Sequence, residues 1–225
     1  MNYVQMIKKL MLGAVGLLAA QAVMAGTIVG SKHDFTTTTW TTKICIACHT
    51  PHNADVSIAA APLWNHTNST AIYTPYTSSS YNGGAQTYGP GTLLCLSCHD
   101  GTIAMDAFGG AAGTASTRLT GNAKIGPDLR GTHPMGFAYT AASLTADPSL
   151  ANPTTATVRI GDATTFATGT INAMLLIGTK LECSSCHDVH NTYTNGPKLV
   201  KMLNSGKIVT QGAANQEMCM ACHKK

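Results

Sequence analysis

The chain has 225 residues, of which only 11% are charged and 6% aromatic, and its formal net charge is +4. Soluble domains ordinarily contain about 25% charged residues, so the surface carries little charge and an ordinary apolar core has little aromatic material. The sequence pI near 8.6 is not evidence for nucleic-acid binding, which needs a clustered basic surface.

Residues 1–25 predict an export signal. Lys8 and Lys9 precede a short apolar run, and small residues follow it, which is typical of a secretory signal peptide. We expect cleavage after Ala25, with Ala22 as a second site. A membrane anchor is the alternative, but the run is shorter than the roughly 20 apolar residues that a spanning helix needs. We therefore expect no membrane span after cleavage.

The first cysteine motif follows a threonine-rich arm at 26–44, which favours a strand or an irregular segment over a helix. In Cys45–Asn53 two cysteines stand three residues apart, His49 follows directly, and His52 comes three residues later. Pro51 limits any helix here to a short turn.

Residues 54–92 are rich in Ser, Thr, Tyr, Asn and Gly, and we predict mostly loop, with Pro62, Pro75 and Pro90 breaking regular structure. The second motif, Cys95–His99, has the same cysteine spacing without the extra histidine. Asp100 and Gly101 after it indicate a turn.

A long stretch without cysteine separates the second motif from the third. Within it, Thr154–Phe166 alternates and is β-branched, which predicts one or two strands around a Gly-Asp turn and hence a small β-module. Cys183–Asn191 then repeats the first motif, including its extra histidine, His190. We expect a short helix at Lys198–Leu203, before the last motif at Cys219–His223.

Cys-x-x-Cys-His is typical of covalent attachment of a c-type haem: both thiols bond to the macrocycle, and the adjacent histidine becomes the proximal iron ligand. All eight cysteines belong to such motifs. Structural zinc or a thiol redox pair would explain a single Cys-x-x-Cys, but four copies, each followed by histidine, favour four haems. Their propionates would make the holoprotein acidic. The four sets are Cys45, Cys48 and His49; Cys95, Cys98 and His99; Cys183, Cys186 and His187; and Cys219, Cys222 and His223.

Five histidines lie outside these sets, enough for a second imidazole on each iron. His52 and His190 each stand three residues after a proximal histidine, on the same side of a helical turn, so each should reach a second, closely packed haem. His33 and His133 occupy matching places upstream of the motifs, whereas His66 has no counterpart in the second half. We expect few or no methionine ligands, with Met135 the best candidate, and correspondingly low potentials.

The order of histidines and motifs repeats. It predicts two dihaem modules, 26–108 and 182–225, joined by a linker at 109–181 that contains the β-module. The fold class that we expect is a multihaem cytochrome c, mostly loop, with short helices at the motifs, low regular secondary structure and a core of stacked haems.

The chain resembles the tetrahaem cytochromes that polymerise into extracellular filaments, the OmcE type. The resemblance rests on Ser31–Phe35, Cys45–Asn53 and Leu94–Gly101, followed by Thr132–Pro134, Cys183–Asn191 and Cys219–His223. It covers essentially the whole mature chain. It implies bis-histidine haems in a continuous stack, export beyond the outer membrane and a loop-rich fold. It also implies a distal histidine that ligates a haem of the next subunit, with His52 the first candidate and His33 the second.

These expectations favour electron transfer over enzyme activity. The first hypothesis is the subunit of an extracellular conducting filament, a homopolymer that exchanges electrons with other redox proteins or extracellular acceptors. The second is a monomeric periplasmic shuttle with the same haems. A multihaem reductase is the third, but it needs an open iron position, which the surplus of histidine argues against. No nucleic-acid partner is expected.

Overall fold

The computed structural model describes residues 28–58, 61–161, 166–192, 199–202 and 218–224. The signal-peptide prediction falls outside these residues. Regular structure is sparse, and no helix in the described ranges is long and apolar enough to cross a membrane. The elements are helices α1 Pro90–His99, α2 Ser143–Ala146, α3 Ile171–Met174, α4 Cys183–Cys186 and α5 Met218–Cys222, strands β1 Thr157–Gly161 and β2 Phe166–Thr170, and 3₁₀ helices at Phe35–Thr37, Ala115–Thr117, Gly121–Ala123 and Leu129–Gly131.

Helix α1 is the longest helix described, and it begins at Pro90. The prediction that Pro90 breaks regular structure is wrong, because proline is favoured at the first helical position, where its missing N–H has no intrahelical partner to lose. The helix ends at His99, and the N–H of Gly101 donates to the Cys98 carbonyl at 3.0 Å. Gly101 has φ +73°, the left-handed conformation with which glycine commonly closes a helix.

The β-module is a two-stranded antiparallel sheet in which Thr157 faces Thr170 and Gly161 faces Phe166. The predicted strand segment ends at Phe166, but the second strand continues to Thr170, and the Gly-Asp turn falls outside the described residues at Asp162. Side chains alternate across the sheet.

The two faces of strand β1 differ in their surroundings. Val158 and Ile160 are buried, whereas the Arg159 guanidinium lies 3.7 Å from the centre of the Phe166 ring in a cation–π contact. The pair covers the outer face of the sheet.

The apolar core lies in the C-terminal half of the chain. It comprises Phe137, Tyr139, Ala151, Val158, Ile160, Ile171, Leu175, Leu176, Leu181, Met202 and Ala221. Most of these residues belong to 109–181, but the last two come from 182–225, so the predicted linker and the C-terminal module share one core. Buried apolar residues of the N-terminal half are mostly small: Ala47, Ala61, Ala104 and Ala107 with Trp64 and Leu96.

The helix predicted at Lys198–Leu203 is wrong for its described residues, Leu199–Met202. Leu199 has a positive φ of 54°, which a helix does not allow. Val200 forms a β-bridge with His187, and Met202 forms one with Gly161. This segment is therefore extended, and it pairs with the end of the third motif.

The first motif pairs with a later segment in the same way, so the sequence repeat is also a repeat of backbone structure. The N–H of Thr50 donates to the Leu63 carbonyl at 2.9 Å, and the N–H of Asp188 donates to that of Leu199 at 2.7 Å. Both leucines have positive φ, as do Asn53 and Asn191 at the ends of the two motifs, with φ 57° and 52°.

Truncation of Ile171 should destabilise the C-terminal core. Ile171 is 0% exposed, and Ile177 in the same segment is 53% exposed. We expect Ile171→Ala to lower the free energy of unfolding by about 2–5 kcal/mol through lost burial and a cavity, whereas Ile177→Ala should change it by about 0.5 kcal/mol or less. Denaturant titration of the purified protein measures both, and equal losses would contradict the assigned core.

Candidate functional site

Each described motif forms a single helical turn closed by the same hydrogen bond. The histidine N–H donates to the carbonyl of the first cysteine at 2.8 Å for His49, 3.0 Å for His187 and 3.0 Å for His223. The second motif lies at the end of α1. Cysteines three apart in such a turn emerge on one side, as double attachment to one macrocycle requires.

The predicted helical turn from each proximal histidine to the histidine three residues later is absent. His187 is extended, with φ −110° and ψ 143°, and it caps α4. His49 likewise forms a β-bridge, with Trp64. The chain therefore leaves the proximal histidine in a strand-like direction, and His52 and His190 are carried away from the macrocycle that their own motif would hold.

Cysteines of successive motifs lie near one another. Burial, and then the neighbouring Cys48, raise the pKa of the Cys98 thiol to about 12. The Cys95 and Cys183 thiols likewise adjoin, and the contact with Cys183 is the main reason why the pKa of Cys95 is raised. Burial, with Cys186 nearby, raises the pKa of Cys222 to about 12. The motifs thus adjoin in chain order, first to second, second to third and third to fourth.

Three of the candidate proximal histidines each face a histidine from outside the motifs. The ring centroids are 6.1 Å apart for His33 and His99. They are 6.2 Å apart for His49 and His190. They are 6.3 Å apart for His133 and His223.

This spacing fits one metal ion held between the two rings of each pair. A metal lies about 2.0 Å from an imidazole nitrogen, and that nitrogen lies about 1.1 Å from its ring centre, so two rings on opposite sides of one ion have centroids roughly 6.2 Å apart. The same distance recurs in three unrelated local contexts. The donor set therefore fits axial ligation of haem iron from both faces.

Backbone carbonyls orient several of these rings. The Nδ1 of His49 lies 2.8 Å from the Pro62 carbonyl, that of His99 lies 2.8 Å from the Ala123 carbonyl, and that of His133 lies 2.9 Å from the Pro134 carbonyl. An N–H at Nδ1 donates to the carbonyl and leaves the lone pair on Nε2, the tautomer that metal-bound histidines usually adopt. Sequence patterns carry no signal for such carbonyls.

His33 is held as a neutral imidazole. Burial, with the neighbouring His99, His187 and His190, lowers the pKa of His33 to about 4. Its Nδ1 is buried with no hydrogen-bond partner among the described residues. A neutral, half-buried ring that faces a second imidazole fits a metal ligand. His33 thus lies against a histidine of its own chain, which leaves His52 as the candidate for an inter-subunit ligand.

His66 has a different environment. It is 5% exposed, and its two ring nitrogens lie 2.8 Å from the Thr67 carbonyl and 3.1 Å from the Ala104 carbonyl. In the backbone repeat that matches Leu63 with Leu199, His66 corresponds to Met202, an apolar core residue. We assign His66 a structural role.

His52 is exposed and belongs to none of the three pairs. It lines a surface cleft of about 490 Å³ together with residues of 50–55, 64–66 and 109–110. Its ring is therefore accessible from outside the chain.

Two further residues bear on the candidate ligands. Met135, the best methionine candidate, has its sulfur 3.4 Å from the Cys183 thiol.

Asp100 is 0% exposed. Burial alone would raise the pKa of Asp100, but hydrogen bonds from Ser69, Thr102 and Tyr73 hold it below its usual range. The ionised Asp100 side chain thus places a negative charge next to His99. The sequence had indicated only a turn at Asp100 and Gly101.

Within the described ranges no three His, Cys, Asp or Glu side chains come together to hold a metal ion by themselves, and none of the cysteines is in a disulfide. The imidazoles come in pairs instead. No protein-family model matches the chain, and no curated protein matches it by sequence.

Replacement of His33 should open one iron position in the haem-loaded protein. If haem iron lies between His33 and His99, we expect His33→Ala to give a high-spin component and carbon monoxide binding after reduction, because that iron would lose its distal ligand. His66→Met, which copies the other half of the repeat, should leave the spectrum low-spin. Optical and electron paramagnetic resonance spectra measure both. An unchanged spectrum for His33→Ala, or an equal change for His66→Met, would contradict the pairing.

Proposed function

We propose that this protein transfers electrons through four covalently attached c-type haems with histidine on both faces of the iron. The observation that carries the proposal is the recurrence of facing imidazoles 6.1, 6.2 and 6.3 Å apart, each joining a Cys-x-x-Cys-His histidine to a histidine from elsewhere. When bound, each haem supplies a one-electron ferric/ferrous couple, so an electron lost by one iron is gained by the next.

The chain's own residues have three tasks in this proposal. The cysteines hold the macrocycles, the paired imidazoles fill both axial positions, and carbonyls such as those of Pro62 and Ala123 keep the rings oriented. Histidine on both sides favours low potentials over the higher ones of methionine ligation. It also blocks substrate access to iron, which is why we propose electron transfer and not a reductase.

The order of contacts supports a continuous path. Cysteines of adjacent motifs adjoin, and His190 of the C-terminal module faces His49 of the N-terminal module. Because ligands cross between the modules, the haems of the two modules would lie side by side and not in separate domains. This is the arrangement that the motif order of the filament cytochromes implies.

We further propose that the chain assembles into an extracellular filament through His52. In the repeat His52 corresponds to His190, which reaches the first attachment site of the other module. If the two halves of the repeat act alike, His52 would reach the third motif, Cys183–His187. Its exposed position suits the third motif of a neighbouring copy. Repetition of one such heterologous contact builds an open polymer. Other redox proteins or extracellular acceptors would be its electron partners.

A monomeric periplasmic shuttle remains the second candidate, because the same three imidazole pairs suit it equally. The two candidates differ in the partner of His52. In the filament it ligates iron in another copy, whereas in the shuttle the exposed ring is left to solvent or to a redox partner.

Intact mass measurement tests the cofactor. Expressed in a host that attaches c-type haem, the mature chain should carry four haems, and carbon monoxide should leave its reduced spectrum largely unchanged. Fewer than four haems, or extensive carbon monoxide binding, would contradict the proposal.

Replacement of His52 tests the assembly. His52→Ala should abolish filaments in electron micrographs and give a monomer in size-exclusion chromatography, because the inter-subunit ligand is lost. His66→Met serves as the matched control and should still assemble. Filaments of normal length from His52→Ala, or a wild-type protein that is monomeric under all conditions, would exclude this assembly.

A further inference from the structure

A buried carboxylate joins the second and third attachment motifs. Helix α1 carries the second motif, helix α4 is the third motif, and the two helices contact each other. Glu182, the residue directly before Cys183, lies between them and is only 4% exposed. Its facing residue on α1, Thr92, is 0% exposed. The carboxylate belongs to neither the iron ligands nor the attachment cysteines.

The hydrogen bonds of Glu182 tie the start of one helix to the start of the other. Its Oε1 accepts from the Gly89 N–H at 3.0 Å, and its Oε2 accepts from the Thr92 hydroxyl. The Thr92 oxygen in turn accepts from the Cys183 N–H at 3.1 Å. On its own side, the Glu182 N–H donates to the Ser185 hydroxyl at 2.9 Å.

The sequence around Gly89 leaves room for this carboxylate. Gly89 precedes α1 and offers the helix no side-chain cap. A Cβ at Gly89 would come 2.8 Å from Glu182 Oε1, which is too close for a real contact. Glu182 thus takes the place of the missing cap, and its negative charge is favourable at the helix N-terminus. Its charge is felt nearby, since burial and then Glu182 raise the pKa of Tyr88.

We propose that Glu182 is the positioning residue that sets the separation of the second and third haem attachment sites and thereby controls electron passage between the two modules. The Cys95 and Cys183 thiols adjoin each other beside this carboxylate, where the two helices are in contact. A shift of α1 against α4 would move these two sulfurs apart. This inference rests on the proposed function, because it requires haems at both motifs.

Without Glu182, other contacts would keep the N-terminal module against the linker, which shares its core with the C-terminal module. Lys180 donates to the Thr87 carbonyl at 3.0 Å, the N–H of Thr87 donates to the Gly136 carbonyl at 2.9 Å, and the N–H of Gly136 donates to the Leu181 carbonyl at 2.7 Å. Loss of the Glu182 bonds should therefore loosen the spacing and not separate the modules.

The test compares Glu182→Gln and Thr92→Val with wild type in the haem-loaded full-length protein. Gln has one acceptor oxygen in place of two, and Val removes the shared hydroxyl at nearly constant volume. Both variants should retain four haems and low-spin spectra. They should lose amplitude in the exciton-coupled Soret circular dichroism and slow electron equilibration between haems after photoreduction.

Ser97→Ala is the matched control. Ser97 is also buried in α1, but its hydroxyl bonds only within the N-terminal module, to the Leu93 carbonyl and the Ser69 N–H. It should leave the Soret couplet and the rate unchanged. Wild-type coupling in both test variants, an equal loss in Ser97→Ala, or failure of both test variants to hold four haems would overturn the proposal. A wild-type chain without four haems would instead refute the proposed function.

Discussion

The proposed function depends on the distance between facing imidazoles. Each of the three pairs has ring centroids 6.1 to 6.3 Å apart, the spacing that one iron shared by two rings would require. If distant parts of the chain supply both sides of an iron, the chain closes around it. That would account for the fold of a protein with few aromatic residues and little regular structure. It would also account for the half-buried His33, whose pKa is lowered to about 4 by burial first and by neighbouring histidines next.

The two modules interlock. His33 faces His99 within the N-terminal half, and His133 faces His223 across the C-terminal core, but His190 reaches back to His49. Glu182 adds a polar tie between the same two modules. The described apolar core is built from residues of the C-terminal half, and Tyr81 of the N-terminal half packs against it. The N-terminal half contains mostly small buried residues, hydrogen-bonded polar groups such as Asp100, and two of the imidazole pairs.

Local backbone structure could be predicted in part from the sequence, and the pairing of distant residues could not. The Cys-x-x-Cys-His motif is recognisable because its cysteines and histidine lie within one turn, and the β-branched alternation at 157–161 is equally local. The match of His190 with His49 depends on how the modules pack, which no local pattern encodes. The helix expected at 198–203 failed because the segment pairs with His187, a tertiary contact. The contact between Glu182 and Thr92 could not be predicted from a local pattern, since the two residues are 90 positions apart. His66 already stood apart in the sequence because it has no counterpart histidine in the second half, and the backbone repeat places Met202 at the matching position.

The central claim is that every iron in this chain has histidine on both sides. Near-infrared magnetic circular dichroism of the oxidised, mature protein tests it most directly, because the charge-transfer band of low-spin ferric haem reports the pair of axial ligands. The account predicts four low-spin haems per chain, all in the bis-histidine region. A band from histidine–methionine ligation, or a high-spin signal accounting for one haem or more in the assembled protein, would contradict it.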